Sequence, residues 1–204
     1  YLIENFGYSL GFIIVVFGRL QLFTENTITT VLPVIARPER DCLFDMLRLW
    51  SVVLAANVAG TMVAANFLSQ TAVLGPEVRT AMFEISRHAV GMGAWESFLR
   101  AMPAGMLVAA IVWMMPSAAG NAFFIVLTFT WLIGAGDFTH IIAGSVEMGM
   151  LMMEDGLGFR PALLGFFLPV LAGNVIGGTA IFTLLAWGQV RREVKHGTAP
   201  DTRR

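Results

Sequence analysis

The chain has 204 residues, 56% hydrophobic and 13% charged, with a net charge of -1 at pH 7 and a mean hydropathy of +0.72. Soluble domains are about 25% charged, so this is the composition of a membrane protein whose first partner is the lipid bilayer. The near-zero charge and the lack of a basic cluster interleaved with aromatics exclude nucleic acid, and a lone Cys42 excludes an internal disulfide framework.

Five stretches meet the roughly 20 apolar residues of a span: about 6–36, 49–69, 98–117, 121–153 and 162–187. None shows the ten-residue alternation of an outer-membrane barrel, so all are read as helices. The first contains GRLQLFTENTITTVLP (18–33), polar for its surroundings, with Arg19, Gln21, Glu25, Asn26 and four threonines. An unbroken helix of about 30 residues would run about 45 Å, against a hydrocarbon core of about 30 Å. A break fits better, with Thr24 and Asn26 as N-caps of a helix restarting into TITTVLPV.

The second stretch carries LAANVAGT (54–61). Residues 70–97 form the one long connection, in which Val78, Ala81, Met82 and Ile85 fall at helical spacing. An amphipathic helix on the outer surface fits, either capping the bundle or lining a pore entrance. The fourth stretch is again too long for one crossing, and Gly134-Ala-Gly136-Asp137 supplies its break, just before FTHIIAG (138–144). The fifth carries LAGNVIGGT (171–179).

Charge sets the orientation. Arg37, Arg40 and Arg48 follow the first span, and Arg191, Arg192, Lys195, Arg203 and Arg204 follow the last, so both ends are read as cytoplasmic. The other side carries Arg79, Arg87, Arg100 and Arg160. Trp50, Trp95 and Trp187 lie near predicted ends and suit the interfacial belt.

The chain also repeats itself. Asn57 and Asn174 stand in similar motifs 117 residues apart, and Phe23-Thr24-Glu25 pairs with Phe138-Thr139-His140 at an offset of 115. An odd number of crossings separates the copies, which predicts an inverted repeat of three-helix units with two broken helices. The whole is one transmembrane domain: a partial first repeat over about 1–69, the outer connection over 70–97, a second repeat over 98–190 and a cytoplasmic tail over 191–204. The first repeat is one span short, so a sixth span is expected upstream of Tyr1. The two breaks meet at the midplane, where restarted helix N-termini form an anion site. Asn57 and Asn174 are placed to bond the backbone freed there, while Gly60, Gly173, Gly177 and Gly178 let helices approach.

These residues carry a family resemblance. LQLFTENTITTVLPV resembles the Leu-Phe-Thr loop of the formate/nitrite transporter family, FTHIIAG resembles its His-containing loop, and the Asn57 and Asn174 motifs resemble its third and sixth helices, all in family order from about Phe6 to Arg192. The resemblance implies an aquaporin-like fold, homo-pentamers with one pore per protomer, and passage of small monovalent anions such as formate, nitrite or hydrosulfide. It implies Leu22 and Phe23 as constriction residues, Thr24 as a hydroxyl donor and His140 as the imidazole opposite it, with Glu25 and Phe138 beside the path and Asn26, Asn57 and Asn174 supporting the loops. Histidine suits the task because its unperturbed pKa is close to neutrality, and a weak acid crosses an apolar constriction once it has taken up a proton.

The departures are specific. Gln21 stands where the family usually has Glu, and Glu25 where it has a small residue. Thr139 and Gly144 replace a Glu and an Asn around the His, and Ala104-Gly105 stands where a Cys-Asn pair is common. The Lys found before that helix falls on Ala89, with Arg87 and His88 as possible substitutes. Glu25 either faces the pore, as Asp137 also would, or pairs with Arg19 or caps the loop. An anion channel or secondary transporter in a bacterial inner membrane leads; a pore for a neutral solute or a cation, or a non-transporting scaffold or sensor, are the alternatives. There is one His at depth, no His pair at metal spacing, no P-loop and no Gly-x-Ser-x-Gly elbow, so neither an enzyme nor a cofactor or metal is expected. Glu147, two turns after His140, receives no role on spacing alone.

Overall fold

Two apolar segments are interrupted, and the interruptions organise everything else. The computed structural model describes residues 2–3, 5–36 and 38–196, the last six by backbone alone. Helix α1 (Phe6–Phe17) gives way to a stretch of extended chain, a 3₁₀ turn at Phe23–Glu25, then α2 (Asn26–Thr29) and α3 (Val31–Ala36). The second interruption falls between α7 (Ala122–Ala135) and α8 (Ile141–Glu154). At 12 and 14 residues, α1 and α7 are roughly 18–21 Å long, too short to cross a bilayer alone.

The uninterrupted helices do cross by length and composition. These are α4 (Arg40–Gln70), α6 (Ala94–Met114) with its 3₁₀ end to Ser117, and the run from Pro161 to Val190. That run contains two π-helical segments, Pro161–Phe167 and Ile176–Thr183, around α9 (Leu168–Val175), and continues as α10 (Leu184–His196). Helix α4 starts nine residues before the expected stretch at 49, so Trp50 lies within it. Its indole donates to the Asn26 carbonyl at 3.1 Å and to Thr30 Oγ1 at 2.9 Å. Arg37 and the tail at 191–204, which carry much of the orientation argument, lie outside the described residues and side chains.

Helix α6 is the central element, packed on α9 and the π segment after it. A Cβ at Gly105 would fall on the Asn174 carbonyl, and one at Gly177 on the Met102 carbonyl, so glycine is required where these backbones cross. Gly173 and Gly178 are equally confined, but Gly60 meets no atom of its own chain within 4 Å, because within the protomer α4 presents its other faces to α3 and α8.

Helix α5 (Pro76–Gly91) forms as expected and packs on α8, but on a different face. Phe83 and Ser86 are buried, whereas Val78 and Ile85 are 51% and 60% exposed. The reason is ionic. Arg79 pairs with Glu154 and Arg87 with Asp155, both at the end of α8, and both guanidiniums lie over the Phe83 ring, 5.7 and 5.8 Å from its centre. Hydrogen bonds from Arg87 hold the Asp155 carboxyl below its usual range, and the same bonds raise the Arg87 pKa.

Candidate functional site

The two interruptions are built on one plan. After α1, the Arg19 N–H bonds the Val16 carbonyl and the Leu20 N–H bonds that of Val15; after α7, Asp137 bonds Gly134 and Phe138 bonds Ile133 in the same way. These are Schellman helix ends, whose turning residue is left-handed and usually glycine. Here it is Arg19 at φ 52° and Asp137 at φ 53°. The break therefore turns at Asp137 itself and not at Gly134 or Gly136, and the first break has no glycine at the turn.

From there the chain runs extended to Leu22 (φ −112°, ψ 130°) and His140 (φ −117°, ψ 129°), each of which caps the helix that follows. An asparagine clamps each cap. Asn57 Oδ1 accepts the Phe23 N–H at 2.9 Å while its amide donates to the Gln21 carbonyl at 3.0 Å. Asn174 Oδ1 accepts the Ile141 N–H at 2.8 Å while its amide donates to the Thr139 and Ala101 carbonyls at 3.1 and 2.8 Å.

This geometry corrects the register of the repeat. Arg19 corresponds to Asp137, Leu22 to His140 and Phe23 to Ile141, an offset of 118; the Phe-Thr match at 115 paired residues that are not equivalent. It also corrects the caps. The restart begins at Phe23, before either expected N-cap, because Asn57 supplies the acceptor from another helix. The Asn26 amide instead donates to the Leu22 carbonyl at 3.3 Å.

Thr24 and His140 meet where the loops meet, with Thr24 Oγ1 2.8 Å from His140 Nε2. Both are buried. His140 Nδ1 accepts the Ala143 N–H at 3.4 Å, so the neutral ring carries its proton on Nε2 and donates it to the threonine oxygen. The Phe12 ring stands edge-on to the imidazole, with centres 5.1 Å apart.

Two cavities converge on this imidazole. One, of about 540 Å³, is bordered by Tyr8, Asp137, Phe138, Thr139, His140 and Glu147, with Glu84 and His88 from α5 at its edge. The other, of about 230 Å³, is nearly apolar and is bordered by Phe12, Val15, Leu22, Thr61 and Val146. Tyr8, His140 and Ala143 border both.

The expected site residues separate accordingly. Leu22, Phe138 and His140 face the cavities, and Thr24 reaches them through His140. Phe23 does not: it is 2% exposed, packed edge-on against Trp50 within the core. Glu25 borders neither cavity. It neither caps its helix nor pairs with Arg19 among the described residues.

Of the two substitutes considered for the family Lys, Arg87 is turned away to Asp155, whereas His88 Nε2 lies 2.8 Å from Asp137 Oδ2. Arg100 Nη1 donates to the same oxygen at 2.8 Å and to the Asp137 carbonyl at 3.3 Å. Asp137 is thus paired and holds its own loop. Sequence reading gave no part to Arg100 or Tyr8. Nothing in linear spacing joins them to the loop, although a Tyr, an Arg and a carboxylate in apolar segments were signals in themselves.

The formate/nitrite transporter family model matches residues 1–188. Inner membrane protein YfdC of Escherichia coli (strain K12) is 40% identical over 203 residues, an alignment covering 100% of this chain and 66% of that protein. Formate-nitrite transporter 3 of Toxoplasma gondii is 26% identical over 186 residues, covering 88% of this chain and 37% of that one. The chain thus spans less than two thirds of either relative. A solved structure, a pentameric formate channel with formate bound, shares the fold at a TM-score of 0.79 and 21% identity, covering 94% of this chain and 83% of that one.

Proposed function

The chain belongs to the formate/nitrite transporter family, and on that premise we propose that it carries small monovalent weak acids of the formate and nitrite kind through the path around His140. It is an integral membrane protein acting as a channel or secondary transporter, not as an enzyme. The observation that carries the reading is the Thr24–His140 contact at the junction of two cavities. The Thr24 hydroxyl holds a titratable imidazole in place beside an apolar passage, which an anion crosses more cheaply once protonated. Leu22 forms part of the apolar wall, Phe138 borders the larger cavity, and Asn57 and Asn174 hold the loops.

A homo-pentamer is proposed from the likeness to a pentameric formate channel. A bacterial inner membrane follows from the E. coli relative, and a cytoplasmic C-terminus from the charge asymmetry. A pore for a small neutral solute or a cation is the second reading, favoured by the carboxylates of Glu84, Asp137 and Glu147 around the larger cavity. The test is uptake of labelled formate and nitrite into proteoliposomes from about pH 5 to 8, with His140→Ala beside the parent. Saturable uptake above empty vesicles, with a pH profile altered in His140→Ala, is expected. Uptake equal to empty vesicles overturns the reading.

A further inference from the structure

The larger cavity contains two polar groups that the Thr24–His140 pair does not use. The Tyr8 hydroxyl is buried without a hydrogen-bond partner among the described residues, although a buried phenol normally finds one. The Glu147 carboxyl borders the same cavity and makes no hydrogen bond or ion pair among the described residues. Two other polar groups of this lining are partnered: Asp137 by Arg100 and His88, and Thr139 by the Ser97 carbonyl at 2.8 Å. Tyr8 comes from α1 and Glu147 from α8, with His140 bordering the cavity beside both.

A carboxyl and a phenol left open to a cavity at membrane depth are functional candidates. Their chemistry is also selective. An undissociated acid presents its O–H to a carboxyl oxygen of Glu147 and its carbonyl to the Tyr8 phenol donor, and both cavity groups are then partnered.

We infer that Tyr8 and Glu147 form a second ligand site beside His140, one that takes the ligand in its undissociated form. The Glu147 carboxylate accepts the hydrogen bond from the ligand O–H, and the Tyr8 hydroxyl donates to the ligand carbonyl. The site rests on the transport reading above, since it lies in the same cavity. It also extends it: a species held between these two groups carries its own proton, so the site admits small neutral molecules with one donor and one acceptor on the same carbon. A primary amide has that arrangement and does not ionise, which makes formamide the probe.

Formamide equilibration in proteoliposomes of the intact protein is followed by stopped-flow light scattering against empty vesicles, for the parent, Tyr8→Phe, Glu147→Gln and Glu147→Leu. The parent should exceed empty vesicles, with about a tenfold loss of protein-dependent flux in Glu147→Leu and in Tyr8→Phe, the size expected for one lost hydrogen bond to a ligand. Glu147→Gln keeps a carbonyl acceptor and should recover part of the flux. Unchanged or faster formamide flux in Glu147→Leu overturns the site, because the carboxyl then holds no part of the ligand. Formate uptake with no protein-dependent formamide flux overturns the site and leaves the transport reading standing. Formamide flux that needs both residues, in a protein that moves neither formate nor nitrite, upholds the site and overturns the anion reading.

Discussion

Thr24 and His140, 116 residues apart in the chain, are joined by a 2.8 Å hydrogen bond between Oγ1 and Nε2. Each is the side chain its restart loop sends to the other, so the two loops hold one another. Thr24→Val keeps the shape and deletes the oxygen. It should cut protein-dependent formate flux about tenfold and lower stability by about 1–3 kcal/mol through the orphaned imidazole N–H. Thr24→Ser should restore both, read by uptake and by thermal unfolding in detergent.

The two asparagine clamps are equivalent in role but unequal in load. Asn174 is fully buried and bonds three backbone groups, whereas Asn57 is half-buried and bonds two. Asn174→Ala should cost about 3 kcal/mol or more, and Asn57→Ala about half as much, since each orphaned buried group costs about 1–3 kcal/mol. Equal losses in denaturant unfolding would contradict this account of their geometry.

The architecture was legible in the sequence because it is written in lengths: apolar runs too long for one crossing, with polar residues near their middles. The clamps were legible too, because an amide in LAANVAG and again in LAGNVIGG has few uses other than freed backbone. What sequence could not supply was register. Phe-Thr recurs as letters, but equivalence is fixed by which backbone N–H each asparagine receives, and that places Phe23 opposite Ile141. The packed face of α5 was illegible for a related reason. Hydropathy pointed to Val78 and Ile85, while the docking is made by arginines whose partners, Glu154 and Asp155, are far away in the chain.

The left-handed residues at the two helix ends give a paired prediction. Arg19 and Asp137 have nearly the same φ, yet among the described residues only Asp137 is held by ion pairs, with Arg100 and His88. Arg19→Gly relieves the backbone and should be neutral or stabilising by about 1 kcal/mol. Asp137→Gly relieves the same strain but frees Arg100 in the loop, and should be net destabilising. Thermal unfolding of both variants compares them directly.

Crowding at α6 gives another pair. Gly177→Ala drives a methyl into the Met102 carbonyl and should cost about 1–3 kcal/mol. Gly60→Ala meets no atom within 4 Å and should be neutral or slightly stabilising, since alanine is the better helix former. A large loss at Gly60 would show that α4 is packed there by something other than the described contacts.

Docking of α5 should weaken in acid. The Asp155 carboxyl is held below its usual value by hydrogen bonds from Arg87, so the pair stabilises fully above the ordinary carboxylate range and is lost as pH falls through the lowered value. Amide protection factors in α5 should drop relative to α8 as pH falls below about 4, and not between pH 7 and that point. In Asp155→Asn the Arg87 part of this drop should be present already at neutral pH.

The backbone at Leu22 and the backbone at His140 are nearly the same object, within about 5° in φ and 1° in ψ. Two halves of the molecule thus offer one identical mounting point each, and the mountings carry unlike groups, an isobutyl and an imidazole. One difference in how the path meets traffic from its two ends at this depth is therefore an exchange of side chains on matching backbone, and Leu22→His would make the two mountings carry the same group.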